Sequence, residues 1–200
     1  MSKLTVIICG MDNTGKTTLI EQLKEKFPED LEVIKPPGPW PSKEVMMNWL
    51  EPSLQSIRDA KSQDKVFLFD RYPLISEPIY GPEIRGVSLL TPEEESEGLE
   101  VLMNAPQQVI LIFCRPPREA ILNFGEREQM EGVIERSNSL IDRYEESLKS
   151  LCNRIYFFTS PPKSPNSSLI LYLYDWTADG PEWVFSLVKN HIDQVREGKQ

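Results

Sequence analysis

Gly10-Met11-Asp12-Asn13-Thr14-Gly15-Lys16-Thr17 is the stretch that decides the fold. Its Gly-x-x-x-x-Gly-Lys-Thr spacing is that of a phosphate-binding loop. Glycines let the backbone wrap a phosphate with its N–H groups turned inward. A helix opening at the lysine adds the positive end of its dipole. Lys16 can reach the outer phosphates of a nucleotide, and the Thr17 hydroxyl can ligate a magnesium ion. Chance gives this pattern in roughly 1% of chains of this length, before its flanks are considered. The flanks agree with it. Leu4-Thr5-Val6-Ile7-Ile8-Cys9 reads as a buried parallel strand. Leu19, Leu23 and Phe27 follow at helical spacing, and Pro28 ends the pattern. Gly10, Asn13, Thr14, Gly15, Lys16 and Thr17 are thus candidates for holding a nucleotide donor.

Further along, Leu31–Ile34 is a short strand candidate running into Lys35-Pro36-Pro37-Gly38-Pro39-Trp40-Pro41. Four prolines and a glycine make a stiff loop. Loops at the carboxyl ends of parallel strands carry the sites of such sheets, so this one is expected to face the acceptor, a simple turn being the alternative. Ser42 is placed to cap a helix through Val45, Met46, Trp49 and Leu50, which Pro52 could interrupt and Leu54 and Ile57 continue. Trp49 reads as core, with stacking on a base as the alternative. Val66–Phe69 is a continuous apolar strand ending in Asp70-Arg71-Tyr72. A carboxylate there can organise magnesium or act as a general base, and Arg71 beside it can clamp a second anion. The alternative is an ion pair at a strand end.

Pro73–Pro82 reads as a substrate wall, with Arg85 just beyond. The acidic run from Pro92 to Glu97 opens a helix, where the dipole favours negative charge. Val109–Cys114 is the third strong strand and ends in Arg115-Pro116-Pro117-Arg118. A helix starts at Glu119, and the polar segment 123–132, with two glycines and Arg127, suits a mobile lid or an ordinary surface loop. Val133–Leu151 shows helical periodicity, Ile155–Phe158 is expected to be a strand, and 159–168 a surface loop. Leu169–Tyr174 is a further strand candidate, Asp175–Gly180 a turn, and Pro181 starts a last helix through Trp183, Val184, Leu187, Val188 and Ile192. Strands alternate with helices, which predicts an α/β fold: one domain over 1–200 built on a central parallel sheet with helices on both faces.

At 40% hydrophobic and 26% charged residues, the composition is that of an ordinary globule. No apolar run is long enough to span a bilayer, and the first one is the strand before the phosphate loop, not a signal segment. The net charge of −9 opposes nonspecific attraction to nucleic acid or an anionic membrane. Cys9, Cys114 and Cys152 are odd in number and lack metal-ligand spacing, which predicts reduced thiols in a cytoplasm. The only histidine, His191, leaves no material for histidine triads or metal sites and is expected on the surface of the last helix.

The residues Gly10 to Thr18, with Asp12 inside the loop and Asp70-Arg71-Tyr72 closing a later strand, resemble the thymidylate kinase branch of the nucleoside monophosphate kinases. Asp70-Arg71-Tyr72-Pro73-Leu74-Ile75-Ser76-Glu77-Pro78-Ile79-Tyr80-Gly81-Pro82 is especially similar to the bacteriophage enzymes of that kind. Pro116–Ala120 resembles the family's turn after its fourth strand, and Ile141–Glu145 its helix after the lid. The likeness covers roughly Leu4 to Phe158. It implies a P-loop NTPase fold with a lid, ATP and Mg2+ as cofactors, and a deoxynucleoside monophosphate (dNMP) as acceptor. By the same resemblance, Gly15, Lys16, Thr17 and Thr18 hold the donor phosphates and magnesium, and Asp12 lies near the acceptor phosphate. Asp70 is base or magnesium organiser, Arg71 binds the acceptor phosphate, and Arg127 and Arg118 steady the phosphoryl group in transfer. Ser76 and Tyr80 line the acceptor pocket with Pro37, although Pro36 stands where the family's turn carries an acid. The family is often dimeric, so a homodimer is an expectation.

Three functions are weighed. The first is transfer of the γ-phosphoryl group of ATP to the 5′-phosphate of a dNMP, in the cytoplasm (the host's, if phage-encoded). The second keeps the chemistry but takes a hydroxymethylated base within DNA, flipped out of the stack; it predicts a basic groove around Arg71, Arg85, Arg115 and Arg118. The third is a nucleotide-binding switch. It lacks the Asn-Lys-x-Asp motif of GTP switches, and the only Asp-x-x-Gly lies inside the phosphate loop.

Overall fold

Leu4–Cys9 (β1) is buried at every position, because helices cover both of its faces. The computed structural model describes residues 4–59, 65–123, 133–159 and 168–197. After β1 come Lys16–Lys26 (α1), Leu31–Ile34 (β2), Lys43–Asp59 (α2), Val66–Asp70 (β3) and Pro73–Tyr80 (α3). A π-helical turn, Gly81–Arg85, leads to Pro92–Met103 (α4), Gln108–Cys114 (β4), Arg118–Leu122 (α5), Ser137–Thr159 (α6), Leu169–Tyr174 (β5) and Glu182–Glu197 (α7).

The five strands form one parallel sheet in the order β2-β3-β1-β4-β5. Successive side chains of a strand point to opposite faces. Ile7, Cys9, Phe69, Leu111 and Phe113 therefore join the core under α2, α3, α4 and α6. Val6, Ile8, Leu68, Ile110 and Ile112 join the core under α1 and α7. The register places Ile8 beside Asp70, so the loops leaving β1 and β3 emerge side by side at the carboxyl edge. Strand order reverses around β1 there, which is where open α/β sheets hold ligands.

Several expectations hold in detail. The Ser42 hydroxyl accepts from Val45 N at 3.3 Å at the start of α2, and Pro52 is absorbed within that helix. Thr91 and Glu94 close a reciprocal capping box on the acidic helix α4. Trp49 packs against Trp40, Phe69 and Tyr72, as core. Others are corrected. Ile155–Phe158 is not a strand but the last turn of α6, and Leu169–Tyr174 takes the fifth place in the sheet. A short apolar, aromatic run fits either period, and here the long amphipathic helix before it wins. Pro73–Pro82, read as a substrate wall with no element assigned, is a helix opening on proline and running into the π-turn, and its Ser76, Glu77 and Tyr80 line a cleft. His191 is buried, since it falls on the face of α7 that carries Val184, Val188 and Ile192 into the core. The segment 124–132, with Arg127, lies outside the described residues, as does most of the loop 159–168. No helix among the described residues is long and apolar enough to cross a membrane.

Candidate active site

The phosphate loop connects β1 to α1. Gly10 has φ +143°, and a Cβ there would stand 2.7 Å from both the Cys114 carbonyl oxygen and Thr14 Oγ1. Gly15 has φ +83° and caps α1 without a side chain, so the first-turn N–H groups are left for an anion. Thr17 and Thr18 are exposed at that turn. Asn13, itself left-handed at φ +64°, donates from Nδ2 to the carbonyls of Ala120, Ile121 and Asn123 at 2.9–3.0 Å. It ties the loop to the end of α5. Tyr144 of α6 donates to the Gly10 carbonyl at 3.2 Å.

Lys16 is buried and its ammonium donates to the Met11 carbonyl and, at 3.4 Å, to Thr14 Oγ1. Burial, with Arg71 nearby, pushes its pKa down to about 8, although Asp12 and Asp70 partly offset this. A phosphate beside it would favour the charged form and raise the pKa again.

Arg71 stands at φ +70°, which is strained for a side chain of this size, while its N–H donates to the Ile8 carbonyl at 2.9 Å. That conformation turns the guanidinium onto Asp12, which it pairs with, and over the Tyr80 ring, 5.2 Å from its centroid. Tyr80 Oη donates to Asp12 Oδ2 at 2.9 Å and accepts from Asp12 N at 3.2 Å. Burial raises the Asp12 carboxyl, but Arg71 and Lys16 outweigh it and hold the group below its ordinary value. Burial opposes the Arg71 charge too, yet Tyr80 and Asp12 leave it more firmly protonated than usual. Burial carries the Tyr80 phenol up to about 12, so it stays a hydrogen-bond donor.

Asp70 ends β3 and lies 3.5 Å from Lys35. Asp12, Lys35, Asp70, Arg71 and Tyr80 line a cleft of about 360 Å3, while Lys16 lies outside its lining. The Lys35–Trp40 loop forms one side, with Pro36, Gly38 and Pro39 lining it while Pro37 is exposed. Ser76, Glu77, Tyr80, Ile84 and Arg85 form the other. Arg118 lies away from this lining, held by Asp142 at 2.7 Å and by Asn138. Burial pushes both the Cys9 and Cys114 thiols up to about 12, so neither is a nucleophile.

Two residues of the site are not singled out by the sequence. Trp176, in the turn after β5, lies against Gly15, where a Cβ would come within 2.7 Å of its ring. Glu77 is a buried carboxylate in the cleft wall. The acidic letters were visible, but not the burial.

The donor-side residues fit a nucleotide polyphosphate, since the uncapped helix end, the glycine cradle and the lysine converge on one place. Thr17 and Asp70 fit a magnesium ion, which takes few protein oxygens and keeps substrate phosphate and water for the rest. Among the described residues there is no cluster of three or more histidine, cysteine or acidic groups of the kind that holds a metal by protein ligands alone.

No family model matches the chain, and no curated protein matches it in sequence. Solved structures do match it. The YorR protein of Bacillus subtilis, solved in complex with phosphorylated GDP, is 14% identical with a TM-score of 0.64, over 96% of this chain and 98% of that one. Thymidylate kinase from Candida albicans is 15% identical with a TM-score of 0.53, over 98% and 93%. Polyphosphate kinase 2 from Arthrobacter aurescens is 13% identical with a TM-score of 0.53, over 97% and 69%. At such identities the likeness is one of fold: this chain has the α/β P-loop NTPase fold, with its sheet wholly parallel.

Proposed function

We propose that the protein is a kinase that moves the γ-phosphoryl group of ATP, with Mg2+, onto the 5′-phosphate of a (deoxy)nucleoside monophosphate. The observation that carries this reading is the shared carboxyl edge of β1 and β3, with Asp12 of the phosphate loop lining the cleft beside Asp70 and Arg71. The phosphate loop with Lys16, and the Asp12–Arg71–Tyr80 group with Asp70, leave neighbouring strands at the same end of the sheet.

Phosphoryl transfer needs little covalent chemistry from the protein and depends on alignment and charge neutralisation. The loop N–H groups and Lys16 hold the donor phosphates. Arg71, fixed from below by Tyr80 and from the side by Asp12, presents its guanidinium to the acceptor phosphate. Asp70 and Thr17 would hold a magnesium ion, which would supply charge neutralisation at the phosphates. Lys35, beside Asp70, can accompany the acceptor phosphate. Arg127 is proposed to close on the transferring group.

The charges favour a free nucleotide over a base within DNA. Arg71, Arg85, Arg115 and Arg118 are each matched by a carboxylate: Asp12, Glu77, Glu145 and Asp142. A groove that tracks a nucleic-acid backbone needs unmatched cations. The cleft itself balances Asp12, Asp70 and Glu77 against Lys35, Arg71 and Arg85.

A coupled ADP-release assay over a panel of nucleoside monophosphates tests the proposal. Stimulation by at least one of them is expected. ADP release that no monophosphate accelerates, with labelled phosphate appearing on hydroxymethylated duplex instead, would overturn it.

A further inference from the structure

The cleft contains a second charged pair that phosphoryl transfer does not use. Glu77, on α3, is 3% exposed, a rare state for a carboxylate. Its Oε1 accepts from Leu89 N at 2.7 Å and from the Arg85 guanidinium. Gly81 makes room for it: a Cβ there would stand 2.5 Å from Glu77 Oε1 and 2.9 Å from Ser88 Cα and the Val87 carbonyl oxygen. The π-turn that brings Ile84 and Arg85 to the cleft begins at that glycine. Such turns recur at functional sites because they displace side chains that a regular helix would hold elsewhere. The carboxylate is thus fixed from behind, and the residue faces the cleft. Its Oε2 accepts no hydrogen bond from the described residues.

We propose that Glu77 and Arg85 determine which acceptor enters, by reading the edge of its base. This rests on the reading of the cleft as the acceptor site of a monophosphate kinase. The pair supplies one accepting oxygen, Glu77 Oε2, and several donors, the Arg85 N–H groups not given to Glu77. An edge that complements it has one N–H beside a carbonyl whose two lone pairs can take the guanidinium. Such a lactam edge belongs to uracil and thymine through N3–H and O4, and to guanine through N1–H and O6, its 2-amino group lying on the far side of N1. Adenine and cytosine offer an amino group with two hydrogens beside a ring nitrogen with a single lone pair. One hydrogen is then left without an acceptor, and guanidinium N–H groups without a lone pair. Unpaired polar groups in a closed site are what give an enzyme strong discrimination.

Glu77→Gln is the informative change. The amide oxygen can still accept from Leu89 N and Arg85, while the amide nitrogen puts a donor where Oε2 accepted. The experiment measures kcat/KM for dTMP, dUMP, dGMP, dCMP and dAMP with the wild type, Glu77→Gln and Arg85→Gln, together with KM for ATP. The wild type is expected to favour lactam bases. Each variant should change the lactam-to-amino ratio by about tenfold or more, with KM for ATP within about twofold. A fall of the same size for every acceptor, or no fall, overturns the inference and leaves the kinase reading standing; a carboxylate that reads a sugar hydroxyl or only braces the turn would behave so. A wild type that favours amino bases overturns it as well. A wild type that phosphorylates neither these five nor the corresponding ribonucleotides overturns both. Should Glu77→Gln fail to fold, Arg85→Gln decides alone, since that side chain is about a third exposed at the cleft.

Discussion

Replacing Lys16 by methionine should make the protein more stable while removing its ability to hold a nucleotide. Folding lowers the lysine from 10.5 to about 8, chiefly by burial, with Arg71 adding to it. Each pKa unit is about 1.4 kcal/mol, so keeping this ammonium charged inside the folded protein costs about 3 kcal/mol at pH 7. The sign follows from proton counts. Between pH 8 and 10.5 the unfolded chain holds a proton that the folded chain has released, so stability from this group rises with pH across that window. Below pH 8 the cost stands in full. Methionine has similar length and no charge, and the Met11 carbonyl keeps the Thr14 hydroxyl at 2.7 Å, so no acceptor is stranded. A gain of about 1–3 kcal/mol at pH 7 is expected, or a Tm higher by roughly 2–10 °C for a chain of this size. Thermal melting of wild type and Lys16→Met at pH 7 and pH 10, with and without Mg-ATP, provides the assay. The difference should shrink towards pH 10, and Mg-ATP should raise the wild-type Tm only. A variant that melts below the wild type at pH 7, or a difference that does not change with pH, refutes the reasoning.

Arg71→Ala should lower kcat/KM for the acceptor by about 100-fold or more with KM for ATP within a few-fold, since the donor cradle is untouched; steady-state kinetics with each substrate varied will check it. Gly15→Ala forces a side chain to φ +83° against Trp176 and should destabilise by about 1–2 kcal/mol in chemical denaturation, with loss of ADP binding by calorimetry. Trp176 lies on that loop and is half exposed, so tryptophan emission should change as Mg-ADP is added, and the change should vanish in Trp176→Phe while binding persists. Gly81→Ala meets backbone at 2.9 Å and the Glu77 carboxylate at 2.5 Å, so it should destabilise by about 1–3 kcal/mol, whereas Gly98→Ala meets only the Leu74 side chain and should cost less.

The sheet and the donor loop were legible because their signals are local: apolar runs, a motif of fixed spacing, and a carboxylate at a strand end. The strand order was not, since nothing within a strand names its neighbour. Ile155–Phe158 misled because aromatic residues favour strands, while the helix that absorbs them is decided by packing along α6. Pro73 and Pro78 gave no helical signal, yet one opens α3 and the other is accommodated inside it. Arg71 and Asp70 were visible as a pair, but it is Asp12, not Asp70, that holds the arginine. Trp176 on Gly15 and Tyr80 under Arg71 join distant parts of the chain, and such meetings are fixed only by the assembled core.

Because Ile8 and Asp70 are ladder neighbours, the loops that leave β1 and β3 start one hydrogen-bonded strand spacing apart, about 4.8 Å. A slip of one residue would turn Asp70 to the opposite face. Intermediate degrees of misalignment are therefore not open to this molecule. Warmed or titrated with urea, a population should divide into fully competent and wholly inert copies, with turnover per folded copy constant until the sheet itself comes apart.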